Sequence, residues 1–225
     1  MKIYGHPWSI STRKVLMTLR EKGLEAELAL IMIPKQEQKT PEHVARHPFA
    51  KVPVLEDDGF VLYESGAIER YLDKKGGGIA LVPSDDRGAA LVSQWISVSD
   101  SYFAPHAGPF IVESMFRRYL GGEQNLAAIE AGKNGMQLAL DTADRWFASH
   151  PYFAGSAFSL ADVHWMPYIE YLVKTGNAEH VLRRVHLAAW WERVSARKTW
   201  HDVARTGPQP YESGMSAEVI ERRYR

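Results

Sequence analysis

The first 75 residues combine short apolar runs with helical periodicity. Residues 2–5 and 26–33 have the apolar density of two strands. Residues 12–23 lie between them and repeat with a helical period. The apolar positions of this helix share one face: Val15, Leu16 and Leu19. Strand, helix and strand in this order predict a right-handed βαβ unit.

Two further apolar runs follow a polar loop. Residues 52–55 and 60–63 flank the turn sequence "DDG", which predicts an antiparallel hairpin. A helical pattern then begins at Ser65 and ends at three glycines, residues 76–78. The sequence therefore predicts a compact α+β unit that closes near residue 75.

Strand patterns are absent from the rest of the sequence, where long helical periods take over. The change of period coincides with Gly and Pro residues, which are typical of a domain boundary. We therefore predict an α+β domain over residues 1–76, a linker over about 77–86 and an all-helical domain over 87–225.

One helix start in the second domain is explicit. In "AFSLADVHWMPYIEYL", Ser159 and Asp162 have the spacing of a capping box, and Phe158 can pack on Val163 as a hydrophobic staple. We assign Asp162 to folding rather than to catalysis. His164, inside the same helix, is expected to be a packed core residue.

Composition narrows the chemistry. The 27 basic and 27 acidic side chains cancel at a pI near 7.1, which disfavours nucleic acid and anionic membranes as partners. Cysteine is absent, so disulfides and a cysteine nucleophile are excluded. The nine histidines show no metal-ligand spacing, and we expect no metal. Without a leader or an apolar stretch of membrane-spanning length, the expected location is the cytosol.

The segment "AKVPVLEDDGFVLYES" is the best candidate for ligand binding. Pro53 precedes a strand that feeds a hairpin, a position suited to a cis peptide bond. Such a bond would leave the backbone N–H and C=O of Val52 free to pair with an extended peptide ligand. The alternative is that Pro53 simply starts a strand.

Charged groups lie near that segment. Glu64 and Ser65 stand where a strand meets a helix, and free N–H groups at a helix start favour a carboxylate. Glu64 itself suits a ligand that also carries an ammonium group. Lys39 could bind a second carboxylate. Ser65 as a plain helix cap and Lys39 as a solvated loop lysine are the alternatives. Together these features predict a slot for a short peptide with charged ends.

The order of these segments resembles the glutathione transferases, and within them the phi class. The resemblance covers roughly residues 1–203 and leaves the C-terminal tail unmatched. It implies a thioredoxin-like N-terminal domain, an all-helical C-terminal domain, glutathione as co-substrate, a homodimer and a role in detoxification. Five motifs carry it: "GHPWSISTRKVL", "EQKTPEH", "HPFAKVPVLEDDGFVLYESGAIERYL", "FSLADVHWMPYIEYL" and "LAAWWERVSARKTW".

The resemblance implies a role for the hydroxyl residue that precedes the first helix. In serine-type transferases this residue activates the thiol, and the matching position is Ser9. Ser11 and Thr12 match later positions and are expected to cap the helix, although either remains an alternative donor. A hydroxyl that donates a hydrogen bond to sulfur favours the thiolate, which is the nucleophilic form. Ser9 would thus be a donor and not a nucleophile.

The same resemblance assigns the glutathione site, with three departures from the family pattern. Ala50 and Lys51 stand where the family usually has Gly and Gln, and Gly66 stands where Arg is usual. The implied glutathione-binding residues are Gln38, Lys39, Lys51, Val52, Pro53, Glu64 and Ser65.

A second, apolar substrate is expected over the sulfur atom. An aromatic and methionine lining suits varied apolar electrophiles, although each of these residues could equally be core. The sequence therefore predicts a transferase that conjugates glutathione to small apolar electrophiles. A glutathione-dependent peroxidase and a non-catalytic ligand-binding or interaction protein are the rivals. The candidate lining residues are Trp8, Phe110, Met115, Phe116 and Tyr119.

Overall fold

The computed structural model shows two compact units. One comprises Met1–Ile79 together with Lys198–Arg225, and the other comprises Ala80–Arg197. The C-terminal residues therefore group with the first unit, whereas the sequence assigns them to the helical domain. The structure describes residues 1–174, 176–204, 209–210 and 216–224.

The first unit contains a mixed four-stranded sheet. Its order is β2-β1-β3-β4, with β1 parallel to β2 and antiparallel to β3, and with β3 antiparallel to β4. The hairpin and the βαβ order agree with the sequence pattern. The strands are β1 (Lys2–Gly5), β2 (Glu27–Leu30), β3 (Val54–Asp57) and β4 (Phe60–Tyr63).

Three helices accompany this sheet: α1 (Ile10–Glu21), α2 (Pro41–Arg46) and α3 (Ser65–Lys75). The short helix α2 lies in a segment that the sequence pattern indicates only as a polar loop. Thr40 caps it, because its side chain accepts the N–H of His43. A hydrophobic core joins α1, α3 and the sheet, and it contains Ile3, Val15, Leu19, Leu55, Ile68 and Leu72.

Among its described residues, the second unit contains helices and connecting loops but no β-strand. Two π-helical turns, Ser99–Phe103 and Val112–Phe116, interrupt its helices. The helices are α4 (Asp86–Val98), α5 (Ala104–Ile111), α6 (Arg117–Leu120), α7 (Leu126–Gly135), α8 (Gln137–Phe147), α9 (Leu160–Lys174), α10 (Glu179–Leu182) and α11 (Val185–Ser195).

Helix α9 forms the centre of the second unit, and Asp162 anchors its first turn. The Asp162 carboxylate accepts hydrogen bonds from the N–H and the hydroxyl of Ser159, at 2.9 and 2.8 Å. It also accepts the indole N–H of Trp190 at 2.8 Å and the N–H of Phe153 at 3.2 Å. Burial raises the pKa of Asp162 to about 6 while these donors lower it. Asp162 is therefore a structural anchor inside the core.

The part of the first unit that follows residue 197, Lys198–Arg225, is called the C-terminal segment. It contains two helices, α12 (Lys198–Ala204) and α13 (Ala217–Tyr224). Helix α12 packs against α1, and Thr199 donates a hydrogen bond to the Glu21 carboxylate. Lys35 forms an ion pair with Glu221 of α13. Among the described residues, no helix has both the length and the apolar character needed to cross a bilayer.

Candidate active site

Strand register brings the predicted site segments to one end of the sheet. Gly5 at the end of β1 pairs with Leu30 at the end of β2. Tyr4 pairs with Val54 at the start of β3, and Val54 pairs with Tyr63 at the end of β4. The chain therefore leaves β1, β2 and β4, and enters β3, at the same end of the sheet.

The turn that follows β1 is closed by its own hydrogen bonds. The N–H of Ser9 donates to the carbonyl oxygen of His6 at 2.9 Å, and the N–H of Trp8 donates to Nδ1 of His6 at 3.2 Å. Because Nδ1 accepts a hydrogen bond, the neutral ring carries its proton on Nε2. Burial, with a contribution from the Arg13 charge, lowers the pKa of His6 to about 4. His6 is therefore neutral near pH 7.

Ser9 is the N-cap of α1. Its side-chain oxygen accepts the N–H of Thr12 at 3.3 Å, and its φ and ψ of −67° and 127° are extended, as an N-cap requires. A hydroxyl that accepts one bond still has its own proton to donate. In the described part of the chain that proton has no acceptor, and the Ser9 side chain is half-buried.

The cap assignment made from the sequence is wrong. The sequence places the start of the helix at residue 12 with Ser11 or Thr12 as caps, whereas the helix begins at Ile10 and Ser9 caps it. The reason is that the Ser9 oxygen accepts the N–H of Thr12, three residues later. A helix N-cap usually accepts the N–H of a residue two or three positions further along the chain.

The three hydroxyl residues of this stretch differ in accessibility. Thr12 is fully buried, and an added Cβ at Gly5 would lie 2.8 Å from its Oγ1. The Thr12 hydroxyl therefore lies against β1 and is closed to an incoming sulfur. Ser11 is half-buried within the first turn of α1. The geometry favours Ser9 over Thr12 as the hydrogen-bond donor to the glutathione sulfur. The assignment of Ser9 stays a prediction.

The peptide bond between Val52 and Pro53 is cis, as the sequence leads us to expect. Within the described residues, neither the N–H nor the C=O of Val52 has a hydrogen-bond partner. An extended ligand could use both groups as it would use a neighbouring strand.

Glu64 and Ser65 occupy the start of α3. Glu64 has φ 71° and ψ 114°, a conformation that costs a non-glycine residue about 1 to 3 kcal/mol and that is typical of ligand sites. Its carbonyl accepts the N–H groups of Ala67 and Ile68. Over the described chain, the Ser65 hydroxyl and the Ser65 N–H have no partner. These groups lie at the positive end of the helix dipole and suit a carboxylate.

Gln38 and Lys39 lie in a 3₁₀ turn, Glu37–Lys39, after the end of β2. The side-chain oxygen of Gln38 is buried and has no partner among the described residues. The Lys39 ammonium is exposed and contacts the side-chain oxygen of Gln36 at 3.4 Å. Both side chains thus keep hydrogen-bonding capacity for a polar ligand.

Two histidines that the sequence pattern did not single out lie close to Lys51 and Glu64. Nε2 of His43 lies 2.7 Å from the carbonyl oxygen of Lys51, to which it must donate. His47 is buried and packs against Tyr63, with 4.8 Å between the ring centroids. The negative charge of Glu64 acts to raise the pKa of His47. Burial lowers the pKa of His47 overall. Their spacing of four residues in "PEHVARH" is the signal that could have found them.

The five residues predicted for the second substrate lie in both units. Trp8 is buried in the turn after β1 and its ring packs edge-on against His6. Phe110 and Met115 are buried in the second unit, where Phe110 packs against His180. The remaining two are Phe116, packed edge-on against Tyr171, and Tyr119, whose pKa is raised by burial. Their assignment to a substrate stays a prediction.

Comparison with known proteins identifies the family. Residues 8–75 match the glutathione S-transferase N-terminal domain model, and residues 102–198 match the glutathione S-transferase C-terminal domain model. The chain therefore belongs to the glutathione S-transferases. The fold class predicted from the sequence, a thioredoxin-like domain with an all-helical domain, is confirmed.

Within that family the chain resembles the plant F-type, or phi, enzymes. It is 34% identical to glutathione S-transferase F11 of Arabidopsis thaliana, over 89% of this chain and 95% of the relative. The crystal structure of glutathione transferase F7 from Populus trichocarpa matches with a TM-score of 0.85 and 35% identity, over 90% of this chain and 97% of that one. Glutathione S-transferase I from maize, solved with an atrazine glutathione conjugate, matches with a TM-score of 0.81 and 28% identity, over 90% and 95%.

Proposed function

We propose that this glutathione S-transferase joins the sulfur of glutathione to small apolar electrophiles, with Ser9 holding the sulfur as a thiolate. The observation that carries the proposal is the unused hydroxyl proton of Ser9, located at the N-terminus of α1. A thiol with an ordinary pKa near 8.5 is mostly protonated at neutral pH. A hydrogen bond from Ser9 and the helix dipole both favour the anionic sulfur.

The energy required is modest. Lowering the thiol pKa by about two units requires roughly 2.7 kcal/mol of preferential stabilisation of the anion. A charge-assisted hydrogen bond contributes about 1.5 to 3 kcal/mol, and a helix N-terminus adds about 0.3 to 1 kcal/mol. The two effects together therefore reach the required magnitude.

Binding is assigned to the residues around the sheet edge. The backbone of Val52 would pair with the peptide, and the start of α3 at Ser65 would hold one carboxylate. Glu64 would take the ammonium group, while Lys39 and Lys51 would neutralise the far carboxylate. Gln38, whose oxygen is buried without a described partner, is the remaining polar contact.

The reaction is a nucleophilic substitution. With an aryl halide, the thiolate forms a carbon–sulfur bond, the carbon–halogen bond breaks and halide leaves with the electron pair. The thiol proton goes to solvent when the thiolate forms. The conjugate bound to the maize relative supports this class of reaction.

Peroxide reduction and simple ligand binding remain rival activities of the same site. The deciding experiment measures retention on immobilised glutathione and turnover of an aryl halide and an organic hydroperoxide. We expect retention and aryl halide turnover, both reduced in Glu64→Ala. Hydroperoxide turnover alone would favour the peroxidase, and retention without either turnover would favour a carrier.

Family membership is the only support for a proposal about assembly and cellular role. We propose a homodimer that acts in the cytosol on toxic electrophiles. Sedimentation at several concentrations tests the assembly, because a dimer gives about twice the 25.4 kDa of the chain. A single species at the monomer mass would reject it.

A further inference from the structure

Helix α1 has a charged side that is removed from water. Arg13, Met17 and Glu21 follow at intervals of four residues, so they lie on one side of the helix. All three are buried, and the Arg13 side chain is fully so. A buried guanidinium is costly unless its donors are satisfied, so its contacts define what this side of the helix does.

Arg13 connects two distant parts of the chain. Its Nε donates to the carbonyl oxygen of Pro7 at 3.0 Å, two residues before Ser9. Its Nη2 donates to the side-chain oxygen of Gln209. The backbone N–H of Arg13 also donates to the carbonyl oxygen of Ser9 at 2.9 Å. One residue thus contacts the turn that carries Ser9 on one side and the C-terminal segment on the other.

Two of the hydrogen bonds among the described residues join the C-terminal segment to α1. Thr199 of α12 donates to Glu21 at the end of the helix, and Gln209 accepts from Arg13 near its start. Glu21 and Arg13 are eight residues apart, which is about 12 Å along a helix. Gln209 is itself buried. It also lies beyond residue 198, where the family match ends.

We propose that Gln209 and Arg13 form a clamp that positions Ser9 for catalysis. Gln209 orients the guanidinium, and the guanidinium holds the Pro7 carbonyl, which fixes the turn that ends at Ser9. Both are positioning residues, because they act through the backbone of the turn. This inference rests on the role proposed for Ser9. Small displacements of a catalytic group are expensive, so a contact made behind the site can control the rate.

The test compares three variants with the unaltered chain. Gln209→Leu removes the acceptor, Gln209→Glu keeps an acceptor oxygen, and Thr199→Val removes the contact at the other end of α1. Two measurements are made on each: hydrogen exchange of the peptide covering residues 4–12, and the pH profile of kcat/KM with glutathione and an aryl halide. Ser9→Ala is profiled in parallel.

We expect Gln209→Leu to exchange faster at the turn amides and to shift the profile toward higher pH by roughly half a unit to one unit. The KM for glutathione should change less than about twofold, since the clamp is proposed to act on the position of Ser9 and not on the residues assigned to glutathione binding. Gln209→Glu should restore both readouts. Thr199→Val should lower the melting temperature, because a hydrogen bond to Glu21 is lost, and should leave both readouts unchanged.

Each contrary result has a separate meaning. Unchanged exchange in Gln209→Leu would show that the clamp does not hold the turn. Faster exchange with an unchanged profile would show that the clamp has no catalytic effect. An unchanged profile in Ser9→Ala would overturn the role of Ser9 and the positioning role with it, while the exchange data would still report on the clamp itself.

Discussion

The side-chain oxygen of Ser9 accepts a hydrogen bond from the backbone N–H of Thr12 at 3.3 Å. The oxygen of Ser9 caps α1. Its hydroxyl proton is the one that we propose is donated to the glutathione sulfur, so the two roles can be separated by substitution. Asp caps helices as well as Ser but has no proton to donate at neutral pH.

The first prediction separates these roles. Ser9→Asp should keep the free energy of unfolding within about 0.5 kcal/mol, whereas Ser9→Ala should lose about 1 kcal/mol. Both should lose conjugation activity near neutral pH, by roughly tenfold to a hundredfold. Urea unfolding and aryl halide turnover measure the two effects. Full activity in Ser9→Asp would show that no donated proton is needed.

The second prediction concerns His43, which holds the carbonyl oxygen of Lys51 at 2.7 Å. His43→Leu should raise the KM for glutathione by roughly threefold to tenfold with little change in kcat, because one orienting hydrogen bond is lost before Val52. Steady-state kinetics at varied glutathione measure this. Arg46→Ala, on the same helix, is the control and should leave KM unchanged. Equal KM in both variants would reject the role of His43.

The third prediction concerns Ala50, which has φ 52° in the left-handed region. Ala50→Gly should raise the free energy of unfolding by about 1 kcal/mol, because glycine adopts this conformation without steric cost. Ala45→Gly, in the helix α2, should instead lower it by about 0.5 to 1 kcal/mol. Urea unfolding of both variants tests these opposite changes in the free energy of unfolding. A loss of stability in Ala50→Gly would contradict the left-handed conformation of Ala50.

The fourth prediction is a pH dependence from His6. Its pKa of about 4 in the folded chain lies below the ordinary 6.5, so protonation favours unfolding. The stability from neutral His6 is complete above pH 6.5 and is lost as the pH falls toward 4. The gap between these values corresponds to roughly 3 kcal/mol.

The matched variant is His6→Asn, because an Asn oxygen can accept the N–H two residues later as His6 accepts that of Trp8. His6→Asn should lose less stability than the unaltered chain between pH 6.5 and 4. Unfolding curves across that range measure the difference. Identical slopes would show that His6 is not the titrating group.

The sequence predicts those parts of the fold that depend on neighbouring residues. The hairpin around "DDG" and the start of α3 at Ser65 follow from turn chemistry and local periodicity, and both are present. The capping box at Ser159 likewise depends on a spacing of three residues.

Contacts between residues far apart in the chain cannot be predicted from the local sequence pattern. The bond between Arg13 and Gln209 joins residues far apart in the chain, and no local pattern encodes it. Thr12 is buried against Gly5, whereas Ser9 is half-buried. This difference in accessibility depends on how α1 packs on β1. Helix α2 has only six residues, too few for a periodicity to be recognised.

The pKa of the glutathione thiol when bound to the enzyme tests the central claim most directly. It can be titrated through the ultraviolet absorbance of the thiolate, with Ser11→Ala as the control. The account predicts a value about two units below 8.5 in the unaltered chain and in Ser11→Ala, and a rise of at least about one unit in Ser9→Ala. The same low value in Ser9→Ala would contradict it.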